Sequence, residues 1–151
     1  MNSSSNQIVF ATKTFVNGQA QIASGTAINT DTLVATANAN ASVITDVLFR
    51  NLDGSNARNF DIIICPLGSN ATAKYNAVQV SIPANSGNNG STALASLAAL
   101  APSLFDLDLA GNRVIGLEGT GSGIAANIGI YVRNKAALTA DVIIFVKQRD
   151  F

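Results

Sequence analysis

The sequence predicts an all-β fold, an antiparallel β-sandwich with one short helix. Three observations carry this. Apolar segments rich in Val, Ile, Phe and Thr recur along the chain and are broken by Gly, Asn, Asp and Pro. Several of them alternate apolar and polar residues with the period of two that a half-buried strand needs. Only one stretch has helical spacing. Hydrophobic residues make up 48% of the 151 positions and charged residues 12%, about half the usual charged share. Such a chain buries a sizeable core and covers its surface with Asn, Ser, Thr, Gly and Ala.

Residues 1–6 form a polar arm with nothing to bury, and 7–151 are read as a single domain. "QIVFATKTFV" (7–16) is β-branched and aromatic, and Asn17-Gly18 predicts a hairpin turn into "QAQIASGTAI". There Ala20 and Ile22 share one face, and Gln19, Gln21 and Ala23 the other. "TLVATA" (32–37) is a short strand. "VITDVLFRNL" (43–52) is a longer one, with Val47 and Phe49 on one side and Leu48 and Arg50 on the other. "DGSN" (53–56) is a turn, and "NFDIIIC" (59–65) is apolar enough to be buried on both faces. In "AKYNAVQVSI" (73–82), Val78, Val80 and Ile82 face one way and Gln79 and Ser81 the other, until Pro83 ends the strand. "STALASLAAL" (91–100) is the helical stretch, capped by Ser91 or Thr92, with Leu94, Leu97 and Leu100 along one side and Pro102 beyond it. "LDLAGNRVIGLE" (107–118) turns at Gly111-Asn112 into another strand. "GIAANIGIYVRN" (123–134) and the very apolar "ADVIIFVKQRD" (140–150) complete the set.

Eight strands at this spacing fit a sandwich or barrel. A long helical insertion before the last strands favours an eight-stranded jelly roll. A fibronectin-like or immunoglobulin-like sandwich is the alternative.

The nine basic and nine acidic residues cancel, so little repulsion opposes self-association; this suits a subunit of an assembly. Nucleic acid is not an expected partner, because phosphate binding needs clustered cations. Arg133 with Lys135, and Lys147 with Arg149, make two pairs and no stripe; they read as solvated strand ends and turns. No secretory leader and no apolar run of membrane-spanning length is seen, which predicts synthesis in a cytoplasm and no membrane partner. The sequons at Asn2, Asn40, Asn70 and Asn89 carry little meaning without a secretory route.

The chain contains no histidine. That removes Ser-His and Cys-His nucleophile pairs and histidine metal sites. Cys65 stands alone between Ile64 and Pro66 and reads as a small buried hydrophobe. Asp106 and Asp108 would point the same way in an extended segment and could act as a glycosidase acid and base or hold calcium. A solvated turn before "AGN" is the preferred reading. Gly119, Gly121 and Gly123 miss the dinucleotide fingerprint, since Ile124 stands where its third glycine belongs and a strand follows where a helix should. They read as a hairpin connection that accepts positive φ. A sugar platform has only Tyr75 and Tyr131 to draw on, with no Trp in the chain. No catalytic, cofactor-binding or metal-ligating residue, and no cofactor, is expected; the chain is read as a non-enzyme.

The last third, from "LAPSLFDLDLAGNRVIGLE" to "VKQRDF", resembles the C-terminal part of small virion structural proteins of tailed bacteriophages. The matching residues are Pro102 after the helix, Leu107, Asp108, Gly111 and Asn112 in the turn, and Asp150 and Phe151 at the end. The sequence departs from that pattern at "RVIGLEGTGSG", where the family more often has an aromatic and a proline. The resemblance implies a jelly-roll protein of the phage head, either a decoration (cement) subunit or the capsid-bound part of a head fibre. It also implies a homotrimer whose partner is the major capsid protein, localised in the virion. The alternative function is a cell-surface or glycan-binding β-sandwich module of tail or adhesin type.

Overall fold

The computed structural model describes residues 15–151. The polar arm, the start of the 7–16 segment and the sequon at Asn2 lie outside the described residues. The strands are β1 (Phe15–Ile22), β2 (Asp31–Thr36), β3 (Ala41–Asn51), β4 (Arg58–Pro66), β5 (Asn76–Ile82), β6 (Ala95–Ser96), β7 (Asp106–Leu107), β8 (Arg113–Glu118), β9 (Ile128–Asn134) and β10 (Val142–Asp150). One helical turn, α1 (Leu97–Leu100), follows β6. One sheet runs β1-β10-β3-β8-β7 with β6 added on β3, and the other runs β2-β9-β4-β5. All pairings are antiparallel, so the fold is an all-β sandwich. The eight long strands pair as a nested set: β1 with β10, β2 with β9, β3 with β8 and β4 with β5.

The period of two places the core. Val47 and Phe49 of β3, Phe60 and Ile62 of β4, Ile130 and Val132 of β9, and Ile144 of β10 are fully buried between the sheets. Their neighbours on the same strands turn outward. Phe49 and Phe60 stack across the sandwich with ring centroids 6.0 Å apart and planes 20° apart, which ties one sheet to the other. In β3 the alternation is reset by a bulge. Lys147 faces Asp46 and Gln148 faces Ile44, which leaves Thr45 as the extra residue. Ser42 and Ile44 on one side of it, and Val47 and Phe49 on the other, therefore all reach the interior. β4 carries the double burial its composition predicts: Phe60 and Ile62 enter the core, while Ile63 and Cys65 are also buried.

Three local expectations are corrected. Asn17-Gly18 is no turn: both residues lie within β1, opposite Lys147 and Val146. A ladder along the whole of β10 outweighs the turn preference of two residues. The helix is a single turn starting at Leu97. Ser96, not Ser91 or Thr92, caps it through the Ala99 N–H. The Asp46 carboxylate anchors this corner by accepting from the Ser96 hydroxyl at 2.7 Å and the Ala98 N–H at 3.3 Å. Upstream, the Asn89 side chain accepts from the N–H groups of Ser91 and Thr92, holding that stretch in turns. Leu97 is buried, whereas Leu94 and Leu100 are exposed. Lastly, Ala73–Tyr75 forms a 3-10 turn, and β5 begins at Asn76.

Candidate functional site

The polar groups singled out in the sequence are mostly structural, and the bonds they make say why. Asp108 leaves β7 and folds into the turn that follows. Its carboxylate accepts from the N–H groups of Ala110 at 2.9 Å and Asn112 at 2.8 Å, and from the Asn112 side-chain amide. Those bonds, led by the Asn112 N–H, hold its pKa below the usual carboxylate range. Asp106 stays on β7, exposed. The two carboxylates therefore do not share an extended segment as an acid–base pair would: β7 ends at Leu107, and the turn takes Asp108.

Cys65 is buried and free. Burial, with the Asp31 charge adding to it, pushes its thiol pKa up, which disfavours the nucleophilic thiolate.

The glycine-rich segment is not a hairpin connection. It joins β8 of one sheet to β9 of the other through a 3-10 turn at Thr120–Ser122. Gly123 has the expected positive φ of 91°. Gly119 and Gly121 serve a different need, since their backbone lies against the Asn38–Ala39 main chain where no Cβ would fit.

Arg133 and Lys135 are not simply solvated. The Arg133 guanidinium grips both oxygens of Asp31, at 2.6 and 2.9 Å, and Lys135 pairs with Asp61 at 3.0 Å. Arg133, followed by the Asn70 amide, holds the Asp31 carboxyl below its usual range against the opposing effect of burial. Asn70, one of the sequon residues, thus ties its loop to β2. Asn40 donates to the Phe151 carbonyl at 3.1 Å. Tyr131 accepts from the Gly68 N–H, and the Tyr75 ring has the Lys74 ammonium 4.9 Å from its centroid.

Sequence reasoning missed the polar framework at one end of the sandwich. The buried Asp53 carboxylate accepts from the N–H groups of Ser55 and Asn56, from Thr139 and from Arg58, which also reaches Thr139. These bonds, with the Ser55 N–H first, hold Asp53 well below the usual carboxylate range. Buried Asn51 donates to the carbonyls of Asn56 and Pro83, and buried Asn134 to those of Ala27 and Ala136. "DGSN" signalled the turn at Asp53. Nothing local marked Asn51 or Asn134, whose partners are brought in by the fold.

These shifts set an acid limit on stability. Asp31, Asp53 and Asp108 have folded-state pKa values below the ~3.9 of an unfolded Asp. Their contribution is fully present above the unfolded value and is lost as pH falls through the folded ones. The chain has no histidine to titrate between. The urea midpoint is therefore expected to stay level from about pH 5 to 8 and to fall below about pH 4. A step between those plateau limits, or a rise on acidification, would contradict this assignment.

One surface remains outside the framework. Leu107, the last residue of β7, is 71% exposed, and Leu109, on the turn between β7 and β8, is 110% exposed. That turn is braced by the hydrogen bonds to Asp108, and Gly111 takes the positive φ of 82° that it requires. Beside it lies a hollow of about 520 Å³ whose lining includes Val43, Thr45, Asp108, Arg113, Val114, Arg149 and Phe151. A second, more open groove of about 420 Å³ passes over Gly18, Leu33, Ala35 and Gln148. Among the described residues no group of three or more His, Cys, Asp or Glu side chains is placed to hold a metal ion. Among them, too, no helix is long and apolar enough to cross a membrane. A scan against protein-family models, a search of curated proteins and a search of solved structures each found no match to this chain.

Proposed function

We propose that this chain is a structural virion protein of a tailed bacteriophage, a decoration or cement subunit that binds the outer capsid surface and stabilises the head. The observation that carries the reading is the contrast between its two kinds of surface. Its perturbed carboxylates are engaged in holding turns and strands together, while large apolar side chains stand in solvent on the braced β7–β8 turn. Exposed apolar groups on a hydrogen-bonded support suit a subunit that is covered by neighbours in an assembly, be they capsid proteins or further copies of the chain. The near-absence of net charge leaves copies free to pack side by side. We read the sandwich as an eight-stranded jelly roll, on the nested pairing of its long strands across the two four-strand sets β1-β10-β3-β8 and β2-β9-β4-β5.

A cement subunit works by bridging neighbouring capsomers. Apolar area buried across their junction opposes the internal pressure that would open it, and many weak contacts act together. The partner is then the major capsid protein, with the subunit itself a homo-oligomer, the trimer being favoured.

The test is addition of the purified chain to heads stripped of accessory proteins. The chain is expected to sediment with the heads and to raise the temperature at which they release DNA. A chain that stays in the supernatant but binds host cells or immobilised glycans would replace this reading with the cell-surface module.

A further inference from the structure

We infer that copies of this chain associate through the β7–β8 hairpin, Leu107 and Leu109 of one copy entering the hollow beside the hairpin of the next. This deepens the assembly-subunit reading and rests on it only for the premise that the chain works as several copies.

Three features of the hairpin point to a second copy as its occupant. First, it supplies both a projection and a recess. Leu109 stands clear of its own chain, and the adjoining hollow of about 520 Å³ is of mixed character, with Val43, Val114 and Phe151 as its apolar part and Thr45, Asn112 and the charged Asp108, Arg113 and Arg149 as the remainder. Its volume is within the range that accommodates inserted groups of side-chain size and larger. Secondly, the hairpin is complementary to itself in charge. Asp106 and Arg113 are both exposed, and among the described residues no ion pair engages either of them. A neighbour's Asp106 can meet Arg113 at the rim of the hollow as the leucines enter it. Thirdly, β7 ends its sheet, so nothing in the same sheet stands between the hairpin and another molecule. Because each copy carries both halves of the contact, the same interaction can repeat between successive copies or be exchanged between two.

The bracing of the turn matters to this role. Asp108 holds the loop in one shape before contact, so little ordering remains to oppose association.

Sedimentation velocity of the full chain tests the inference. The parent protein is expected to sediment as an oligomer that dissociates on dilution. The double variant Leu107→Asn with Leu109→Asn is expected to sediment as a monomer with unchanged far-ultraviolet circular dichroism and melting, since both side chains are exposed in the single chain. Asp106→Arg and Arg113→Asp are each expected to weaken association about tenfold, and the two together to restore it. Hydrogen exchange of the unmodified protein supplies a readout that needs no variant: amides of 106–113 should exchange faster on dilution.

A parent chain that is monomeric throughout, a leucine variant that sediments like the parent, a charge swap that restores nothing, or exchange at 106–113 indifferent to dilution would each overturn the hairpin contact. None of those outcomes bears on whether heads bind the chain. Conversely, an oligomer that depends on these residues but ignores heads would end the capsid reading and leave the contact standing.

Discussion

Replacing Phe49 with alanine is expected to lower the free energy of unfolding by about 3–5 kcal/mol. The ring is fully buried and stacks on Phe60 of the facing sheet, 6.0 Å between centroids. Its removal costs the transfer of an aromatic side chain from water and also leaves a cavity between two sheets. Each sheet is stiffened by its own ladders, so collapse into the space is limited. The whole stability of a domain this size is about 5–15 kcal/mol, which makes the loss a large part of it. Phe49→Leu, which keeps most of the volume, should cost under about 1.5 kcal/mol. Equilibrium urea denaturation of the three proteins measures both differences. Alanine and leucine variants that unfold at the parent's midpoint would mean that the two sheets do not meet at this ring.

The second large effect is expected from a single methyl group. Gly119→Ala should destabilise by about 3 kcal/mol, at the upper end of what overpacking does. A Cβ on Gly119 would lie 2.0 Å from the Asn38 carbonyl oxygen, and 2.4 and 2.5 Å from the Ala39 carbonyl oxygen and carbon. These are main-chain atoms of the turn between β2 and β3, so no rotamer change relieves the overlap. The two segments are also joined by hydrogen bonds. The Gly119 N–H reaches the Asn40 carbonyl at 3.2 Å, the Gly121 N–H reaches that of Ala39 at 2.6 Å, and Asn127 bridges Thr120 and Ala37. Forcing the segments apart weakens that set together, which adds to the steric cost. Gly116→Ala is the control. Its added Cβ meets nothing within 4 Å, and the change should stay within about 0.5 kcal/mol of the parent. Thermal melts of the two variants suffice. Equal melting temperatures would show that the 119–121 segment can move away from Asn38–Ala39 freely.

The glycines illustrate how much of this molecule is legible locally. Though the sequence reads their connection as a hairpin and the structure makes it a crossing from one sheet to the other, that Gly119, Gly121 and Gly123 lie in a connection between two strands follows from the strand after them. Why two of them must be glycine does not, because the obstructing atoms belong to residues some eighty positions away in the chain. Asn17-Gly18 shows the converse failure. As a dipeptide it favours a turn, yet β10 offers partners along all of β1 and the pair stays extended. The ten-residue leucine pattern at 91–100 likewise shortens to one helical turn, because Ala95 and Ser96 pair with β3 and Asp46 claims the cap. A helix that short has no propagation energy of its own to resist such contacts.

What the amino-acid order determined by itself was the class of fold, the positions of most strands and, in β1, β3 and β5, which side chains share a face. All of these follow from a period of two that acts between neighbours in the chain. It also set the absence of imidazole chemistry, by omitting histidine altogether. Which strand pairs with which, the framework around Asp53, Asn51 and Asn134, and the placing of the hollow beside two exposed leucines were decided only in three dimensions. Each depends on groups far apart in sequence, and pairings of that kind leave no periodic trace along the chain.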